Sequence, residues 1–382
     1  MADILLQNTL ADNPALQQKL ANQELLLQSI QNNYVKPRQV LTIPVVVHIL
    51  YREPEENISD EQIFSQIDVL NTDFRGFNCE IASIPSEFKD VIADTELEFC
   101  LAHIDPDGNP TNGIIRTLTN IPTFDPKGTR HFYTDEGGSN AWDTEHYLNI
   151  WVANLGGTLG FASFPDLNPN ADEDGVVIDY TAFGTIGTAA EPYHLGRTTT
   201  HEIGHYFSLR HPFPGPGVPE CVFDDGIEDT PMQQPSYGGR CPDYPQFYCG
   251  TSDMFMNFMN YSDDPCLNMF TEGQKARMIA ALFTYRAALL TSPTCSKEPG
   301  SFNELSLVLL PNPASSSIQI FPPESNIPIG SLRIANIAGQ IVFQDNQWPT
   351  RLSIDISSWL AGIYFIEFYC NGKTWNAKLV KI

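Results

Sequence analysis

A mixed α/β domain followed by a small all-β sandwich is the architecture this sequence of 382 residues predicts. Three observations carry it. An apolar strand-like run beginning at residue 40 leads into an amphipathic helix, the opening of an α/β layer. Two further stretches, around Leu97–Leu101 and Tyr147–Ala153, read as strands of the same sheet. Beyond Cys295 the composition changes: residues 303–382 hold five acids (Glu304, Glu324, Asp345, Asp355, Glu367) and five bases (Arg333, Arg351, Lys373, Lys378, Lys381), so the whole formal charge of −25 precedes them. At about 150 residues per domain, two or three folded units fit the length.

The elements follow in order. Residues 1–39 are rich in Gln, Asn and Leu, with leucines and alanines at mixed helical spacings, and read as a weakly helical pro-segment. LTIPVVVHIL, from Leu41, is a buried-strand run. Ser59, Asp60, Glu61 and Gln62 carry a capping-box pattern, and Ile63, Ile67, Leu70 and Phe74 then share one helix face. Leu97, Phe99 and Leu101 alternate as a strand requires, and YLNIWVA reads as another buried strand. This domain is expected to span 40–297. In the tail, 303–382, the runs SSIQIF, SLRIANI, GQIVFQ, LSIDIS, GIYFIEFYC and KTWNAKLVKI are short strands separated by turn signals, the pattern of a sandwich.

Composition excludes several classes of function. With 46 acidic against 21 basic residues, general binding to nucleic acid or anionic lipid is opposed, and cationic partners are favoured. No apolar run approaches the ~18 residues of a membrane span. The eight cysteines include no CxxC pair, so they read as disulfides of an exported protein rather than a zinc ribbon. The N-terminus lacks a basic start followed by an apolar core, so no signal peptide is expected within the chain. Asp166, Asn168, Asn170 and Asp172 resemble half of a calcium-binding EF-hand loop but lack its glycine and closing glutamate, and read as a solvated loop.

Three of the eight histidines fall in His201-Glu202-Ile203-Gly204-His205-Tyr206-Phe207-Ser208-Leu209-Arg210-His211. On a helix, His201 and His205 lie one turn apart and can both reach one zinc ion. Glu202 points about 100° round the helix, placed to act on water beside the metal rather than to ligate it. A continuous helix would carry His211 to the far side, so it must break after His205. Pro212 disfavours helical backbone at His211, and the prolines that follow end the helix, so His211 can fold back as third ligand. The isolated His48, His103, His131, His146 and His194 are expected to be structural.

These residues resemble the motif of the metzincin zinc peptidases, a histidine-glutamate helix followed by a methionine-containing turn. Asn257-Phe258-Met259-Asn260-Tyr261 resembles that turn, with Met259 as the floor under the metal and Tyr261 near it. Within the metzincins the chain is similar to the bacterial branch of the pappalysin family over about residues 40–295. The similarity runs through VVVHILY, Leu70-Asn71-Thr72-Asp73-Phe74, LNIWVANL, Asp229-Thr230-Pro231, NFMNYSDD and Phe270-Thr271 with Gln274. The family usually has glycine, with positive φ, where this chain has Ser208.

The resemblance implies a secreted zinc endopeptidase acting on proteins or peptides as a monomer, with a metzincin catalytic domain built on a mixed sheet and active-site helix. It implies a calcium site from Asp225, the Glu228 carbonyl and Thr230, disulfides Cys221–Cys249 and Cys241–Cys266, and Asp264 at the base of the pocket for the residue after the cut bond, favouring arginine and then lysine. The segment Gly156–Ala162 is expected to be the edge strand that aligns substrate. No cysteine precedes Cys79, so latency would rest on a carboxylate such as Asp3 or Asp12 or on steric cover, and Pro37–Arg38 is a candidate self-processing bond. The tail, through Leu310-Pro311-Asn312-Pro313-Ala314, Asn336 to Gln340, Ile354 to Ser357 and Gly362-Ile363-Tyr364, resembles the Ig-like sorting domain of proteins exported by the type IX secretion machinery. That reading implies a signal peptide ahead of residue 1 and a destination outside the cell or at its surface. The alternative is a non-catalytic surface adhesin on a peptidase scaffold.

Overall fold

The computed structural model describes residues 13–31, 40–292 apart from 166, 168, 169, 216 and 217, residue 295, and 307–382 apart from 311, 322–328, 338, 350–352, 371 and 372. Asp3, Asp12, Pro37 and Arg38, together with Asp166 and Asn168 of the acidic loop, therefore lie outside the described residues. The chain divides into two compact units, Met1–Gly76 with Ile84–Ser296, and Phe77–Ser83 with Lys297–Ile382.

In the first unit, β1 (Leu41–Tyr51) is the central strand. It pairs in parallel with β2 (Leu97–Leu101) through its first half and with β3 (Ile114–Leu118) through its second, and with β4 (Leu148–Ala153) on its other side. β4 continues to the parallel β6 (Val176–Asp179), and β5 (Gly160–Ala162) closes that edge antiparallel to β6. Parallel strands covered on both faces should be apolar throughout, and every residue of β4 and β6 is buried. Ile43, Val45, Val47 and Ile49 point into the larger core, which includes Ile63, Leu70 and Phe74 of α2 (Asp60–Phe74) and Ile203 of α3 (Arg197–Tyr206). Leu50 joins Trp151 and Phe132 on the opposite face. His48 is buried there, stacked on Trp151 and held by Ser139 and Asn149 at 2.9 Å each. Burial pushes its pKa down to about 4, so it stays neutral.

The N-terminus of α2 departs from the reciprocal capping box. The Ser59 hydroxyl does accept from the Gln62 N–H at 3.2 Å, but the Gln62 side chain turns inward to the Phe183 carbonyl at 2.8 Å and to Thr188. A buried amide beside unpaired carbonyls gains more from satisfying them than from folding back on an exposed helix end.

α1 (Pro14–Gln31) lies against α4 (Glu272–Tyr285): Leu27 packs on Ala280 and Ala281, while Leu16 and Leu20 pack on Phe164 and Leu167. Two polar contacts fix its rotation. Gln23 Nε2 donates to the Pro165 carbonyl at 2.6 Å, and Glu24 pairs with Arg277, whose side chain is wholly buried. Three disulfides, Cys100–Cys295, Cys221–Cys249 and Cys241–Cys266, lie within this unit.

The second unit is a sandwich. One sheet runs β10 (Ile341–Pro349), β9 (Ile329–Asn336), β12 (Gly362–Cys370), β13 (Lys373–Lys381), and the other runs β11 (Ser353–Asp355), β8 (Ser317–Phe321), β7 (Val308–Leu310). Ile318 and Ile320 of one sheet meet Leu332, Ile334, Ile366, Phe368 and Leu379 of the other.

Glu24→Ala should leave the Arg277 cation buried without its carboxylate, and equilibrium urea unfolding of the full chain should show a loss of about 1–3 kcal/mol. An unchanged midpoint would mean that α1 contributes through apolar contacts alone.

Candidate active site

α3 begins after Gly196, whose φ of 73° places it in the left-handed region and leaves it without a capping side chain. The helix ends at Tyr206, and Ser208 adopts φ 73°. For a non-glycine residue this costs about 1 kcal/mol, and the surroundings hold it: the Leu209 N–H donates to the Gly204 carbonyl at 2.9 Å, and Arg277 Nε donates to the Ser208 carbonyl at 2.7 Å. The turn that the family makes with glycine is thus made here with serine. It brings His211 back over the helix.

The Nε2 atoms of His201, His205 and His211 lie 3.1 Å from one another in all three pairs. Nδ1 of His201 faces the Phe258 carbonyl at 2.7 Å and Nδ1 of His205 faces the Leu209 carbonyl at 2.8 Å. A carbonyl only accepts, so both protons sit on Nδ1 and the Nε2 lone pairs turn inward. Burial, reinforced by the other two imidazoles, holds His201 well below the ordinary histidine range. Three neutral nitrogens so spaced match tetrahedral zinc, whose nitrogen ligands at about 2.0–2.1 Å are separated by roughly 3.3 Å. No other group of three such donors occurs among the described residues.

Met259 lies beneath this cluster, fully buried. A Cβ on Gly204 would stand 2.4 Å from the Met259 sulfur, so the glycine within the helix is what lets the thioether approach. The turn is pinned by Asn257: its Oδ1 accepts from the Met259 N–H at 2.9 Å, and its amide exchanges hydrogen bonds with Gln274 at 2.8 and 2.9 Å. Gln274 and Thr271 also form the capping box of α4, so that helix end braces the turn. Tyr261 is half-buried, its ring 4.6 Å from His211, and Phe213 stacks on His211 at 4.7 Å.

Glu202, 4% exposed, shares with His201 and Tyr261 the lining of a cleft of about 350 Å³. Gly157–Gly160 form one wall, and a Cβ on Gly160 would reach within 3.1 Å of Glu202 Cγ. Of the expected Gly156–Ala162 strand, the regular part is β5, on the sheet edge. Asp264 is buried at another side of the cleft. Its Oδ2 accepts from the N–H groups of Leu195 at 2.8 Å and Arg197 at 3.3 Å. Burial raises its pKa to about 6, against the pull of those amides and of the Arg197 guanidinium. Asp225 and Thr230 come together outside the cleft: the threonine hydroxyl lies 2.8 and 2.9 Å from the two carboxylate oxygens, and the Ile227 N–H donates at 3.0 Å. Burial pushes Asp225 up to about 7, while the Glu228 side chain is exposed.

Sequence reasoning did not single out Arg197, Arg277 or Phe213. Phe213 stands two residues beyond His211 and offered a local signal. Neither arginine did, because the partners of each, Asp73 for one and Glu24 and Ser208 for the other, are distant in the chain.

The profile of the pregnancy-associated plasma protein-A peptidase family matches residues 132–283, and that of the secretion system C-terminal sorting domain matches residues 308–382. An extracellular metalloprotease of Arthroderma otae is 31% identical over 258 residues, covering 65% of this chain and 80% of that one. Mature mirolysin of Tannerella forsythia, solved with a cleaved peptide, is 45% identical with a TM-score of 0.64, covering 66% of this chain and 97% of that one. A promirolysin mutant from the same organism is 41% identical with a TM-score of 0.65, covering 72% and 92%.

Gly204→Ala should displace Met259 and cost about 1–3 kcal/mol by overpacking. Metal retention against a chelator should fall with it; full stability and full retention in this variant would show that the sulfur yields without consequence.

Proposed function

Because the chain belongs to the pregnancy-associated plasma protein-A peptidase family, the pappalysins, and is a metallopeptidase with a type IX sorting tail, we propose that it is a zinc endopeptidase delivered outside the cell or to its surface, cutting before arginine and more weakly before lysine. The observation that carries the reading is the convergence of three Nε2 atoms at 3.1 Å beside the carboxylate of Glu202. On this reading residues 1–39 are the pro-segment, 40–297 the catalytic domain and 303–382 an Ig-like sorting domain. No described residue of α1 lines the cleft.

His201, His205 and His211 would hold the metal. When bound, zinc supplies Lewis acidity, polarising the scissile carbonyl and making nearby water acidic. Glu202 takes the proton from the attacking water and passes it to the leaving amine. Tyr261 donates a hydrogen bond to the oxyanion as it forms. β5, on the sheet edge, aligns an extended peptide through its main chain. Calcium held by Asp225, Thr230 and the Glu228 carbonyl is supported by a buried carboxylate that burial alone disfavours as an anion, and by the all-oxygen donor set a hard cation prefers. A non-catalytic adhesin is not favoured, since the ligand set and the proton-transferring carboxylate are all retained.

Glu202→Ala should abolish cleavage of casein while zinc content by atomic absorption stays near that of the unmutated protein. Activity surviving in that variant would sink the mechanism. The preference for arginine should weaken about ten- to a hundred-fold relative to leucine in Asp264→Ala, the worth of one charge-assisted pair. It should also weaken in the unmutated enzyme as pH falls. Asp264 has its pKa raised to about 6, so it is charged above that value and protonated below it. Arg197, Asp263 and Tyr193 are the charged or titratable groups that face it. The measurement is the arginine-to-leucine ratio of kcat/KM, in which pH effects common to both substrates cancel; a ratio flat from pH 8 to pH 5 would exclude Asp264 as the discriminating group.

A further inference from the structure

Beside the cleft, Asp264 is not alone. Arg197, the first residue of α3, also lines it, although only 1% of that residue is exposed. Its guanidinium acts on Asp264, drawing the carboxyl down against the effect of burial. It also pairs with Asp73 near the end of α2, and both side chains are almost wholly removed from solvent. The other Asp73 oxygen accepts from Thr200 Oγ1 at 2.7 Å, which fixes the carboxylate against α3. The Phe258 ring lies 5.3 Å from the guanidinium carbon and closes another side.

An isolated Arg197 beside Asp264 would make a neutral pair, and a neutral pair offers an incoming guanidinium nothing over an incoming leucine. Asp73 changes the count: two carboxylates and one guanidinium leave one negative charge. In a site this dry that charge is only weakly screened. The carboxylate that reaches the cleft is Asp264, because Asp73 is fully buried and is not among the residues lining it.

We propose that Asp73 is a positioning residue for substrate choice: by engaging Arg197 from behind, it leaves the Asp264 carboxylate available to a cationic side chain following the cut bond. This rests on Asp264 as the base of that pocket. The nearby Asp263 adds negative charge but is common to every comparison below.

The test uses the full-length, zinc-loaded protein and three peptides differing only in the residue after the cut, arginine, leucine or glutamate. In the unmutated enzyme, arginine should exceed leucine about ten- to a hundred-fold in kcat/KM, with the difference in KM. Asp73→Asn leaves Arg197 and Asp264 as a neutral pair, and the ratio should fall to within about three-fold of unity. Asp264→Asn should do the same. The double variant removes both carboxylates set against Arg197 and should prefer glutamate to leucine. A merely structural role for Asp73 would lower all three substrates together and would not reverse the sign.

If Asp73→Asn keeps the wild-type ratio while Asp264→Asn loses it, this inference is overturned and the pocket assignment stands. If Asp264→Asn also keeps it, the pocket assignment itself fails. Should Asp73→Asn not fold, Arg197→Met carries the test. It leaves both carboxylates uncompensated and should raise the ratio above wild type; a ratio at or below wild type overturns the inference.

Discussion

Three imidazoles can be buried around one point only if none carries a proton there, and the rest of the catalytic unit is arranged to keep those protons away. Backbone carbonyls at Phe258 and Leu209 accept hydrogen bonds from the Nδ1–H groups of His201 and His205 and so hold the protons there. Each carbonyl belongs to a segment that must itself be held. Phe258 sits in the turn pinned by Asn257 and Gln274, and Leu209 follows the left-handed Ser208. The geometry of the three imidazoles is therefore only as firm as α4 and the end of α3.

That second anchor depends on charge brought from a distance. α3 has ten residues, too few to be stable by its own hydrogen bonds. It has no local N-cap side chain, and its last carbonyl, that of Tyr206, lies beyond the backbone bonds that Phe207, Ser208 and Leu209 make to the preceding turn. The missing groups come from elsewhere. Asp264 accepts from the Leu195 and Arg197 amides at the N-terminus, Arg286 Nε donates to the Tyr206 carbonyl at 3.0 Å, and Arg277 Nε donates to the Ser208 carbonyl. Carboxylate at the start and guanidinium at the end is also the order that suits a helix dipole. Each arginine needs its own counter-ion in the interior, so Asp174 pairs with Arg286 and Glu24 with Arg277. The N-terminal helix thus reaches the turn that carries His211 through the buried Arg277.

The parts legible in the sequence are those whose partners are close along the chain. His201, Glu202 and His205 are set by helical periodicity, and the return of His211 follows from the proline after it. The strands around Leu41, Leu97 and Leu148 follow from apolar runs. The parts that were not legible are long-range. Pairing of Cys100 with Cys295 ties β2 to the last residues of the first unit, 195 positions along the chain, and nothing in either local sequence selects the other. The Ser59–Gln62 pattern was legible but incomplete, because the interior offered Gln62 better partners than the helix end did. Arg197, Arg277 and Arg286 look like ordinary basic residues until the fold buries them.

Burial of these arginines also changes how the acidity of the chain acts. Residues 1–302 carry 41 acids and 16 bases, by subtracting the balanced tail from the totals of 46 and 21. Arg197, Arg277, Arg286 and Lys275 are nearly inaccessible and each is paired with a carboxylate. Each pair is neutral, removing one cation and one carboxylate together, so the net negative charge is left to the residues outside these pairs. The remaining field draws cationic polypeptides toward the catalytic unit, but over a range limited to about 8–10 Å at moderate salt. It acts on approach, alike for all chains of the same total charge. The buried charge beside the cleft is shielded from those ions, and in the proposed specificity it acts on one side chain after docking. On the proposed pocket assignment, attraction and discrimination rest on different carboxylates, and Arg197 links the two buried ones, pairing with Asp73 through its side chain and donating to Asp264 through its backbone N–H.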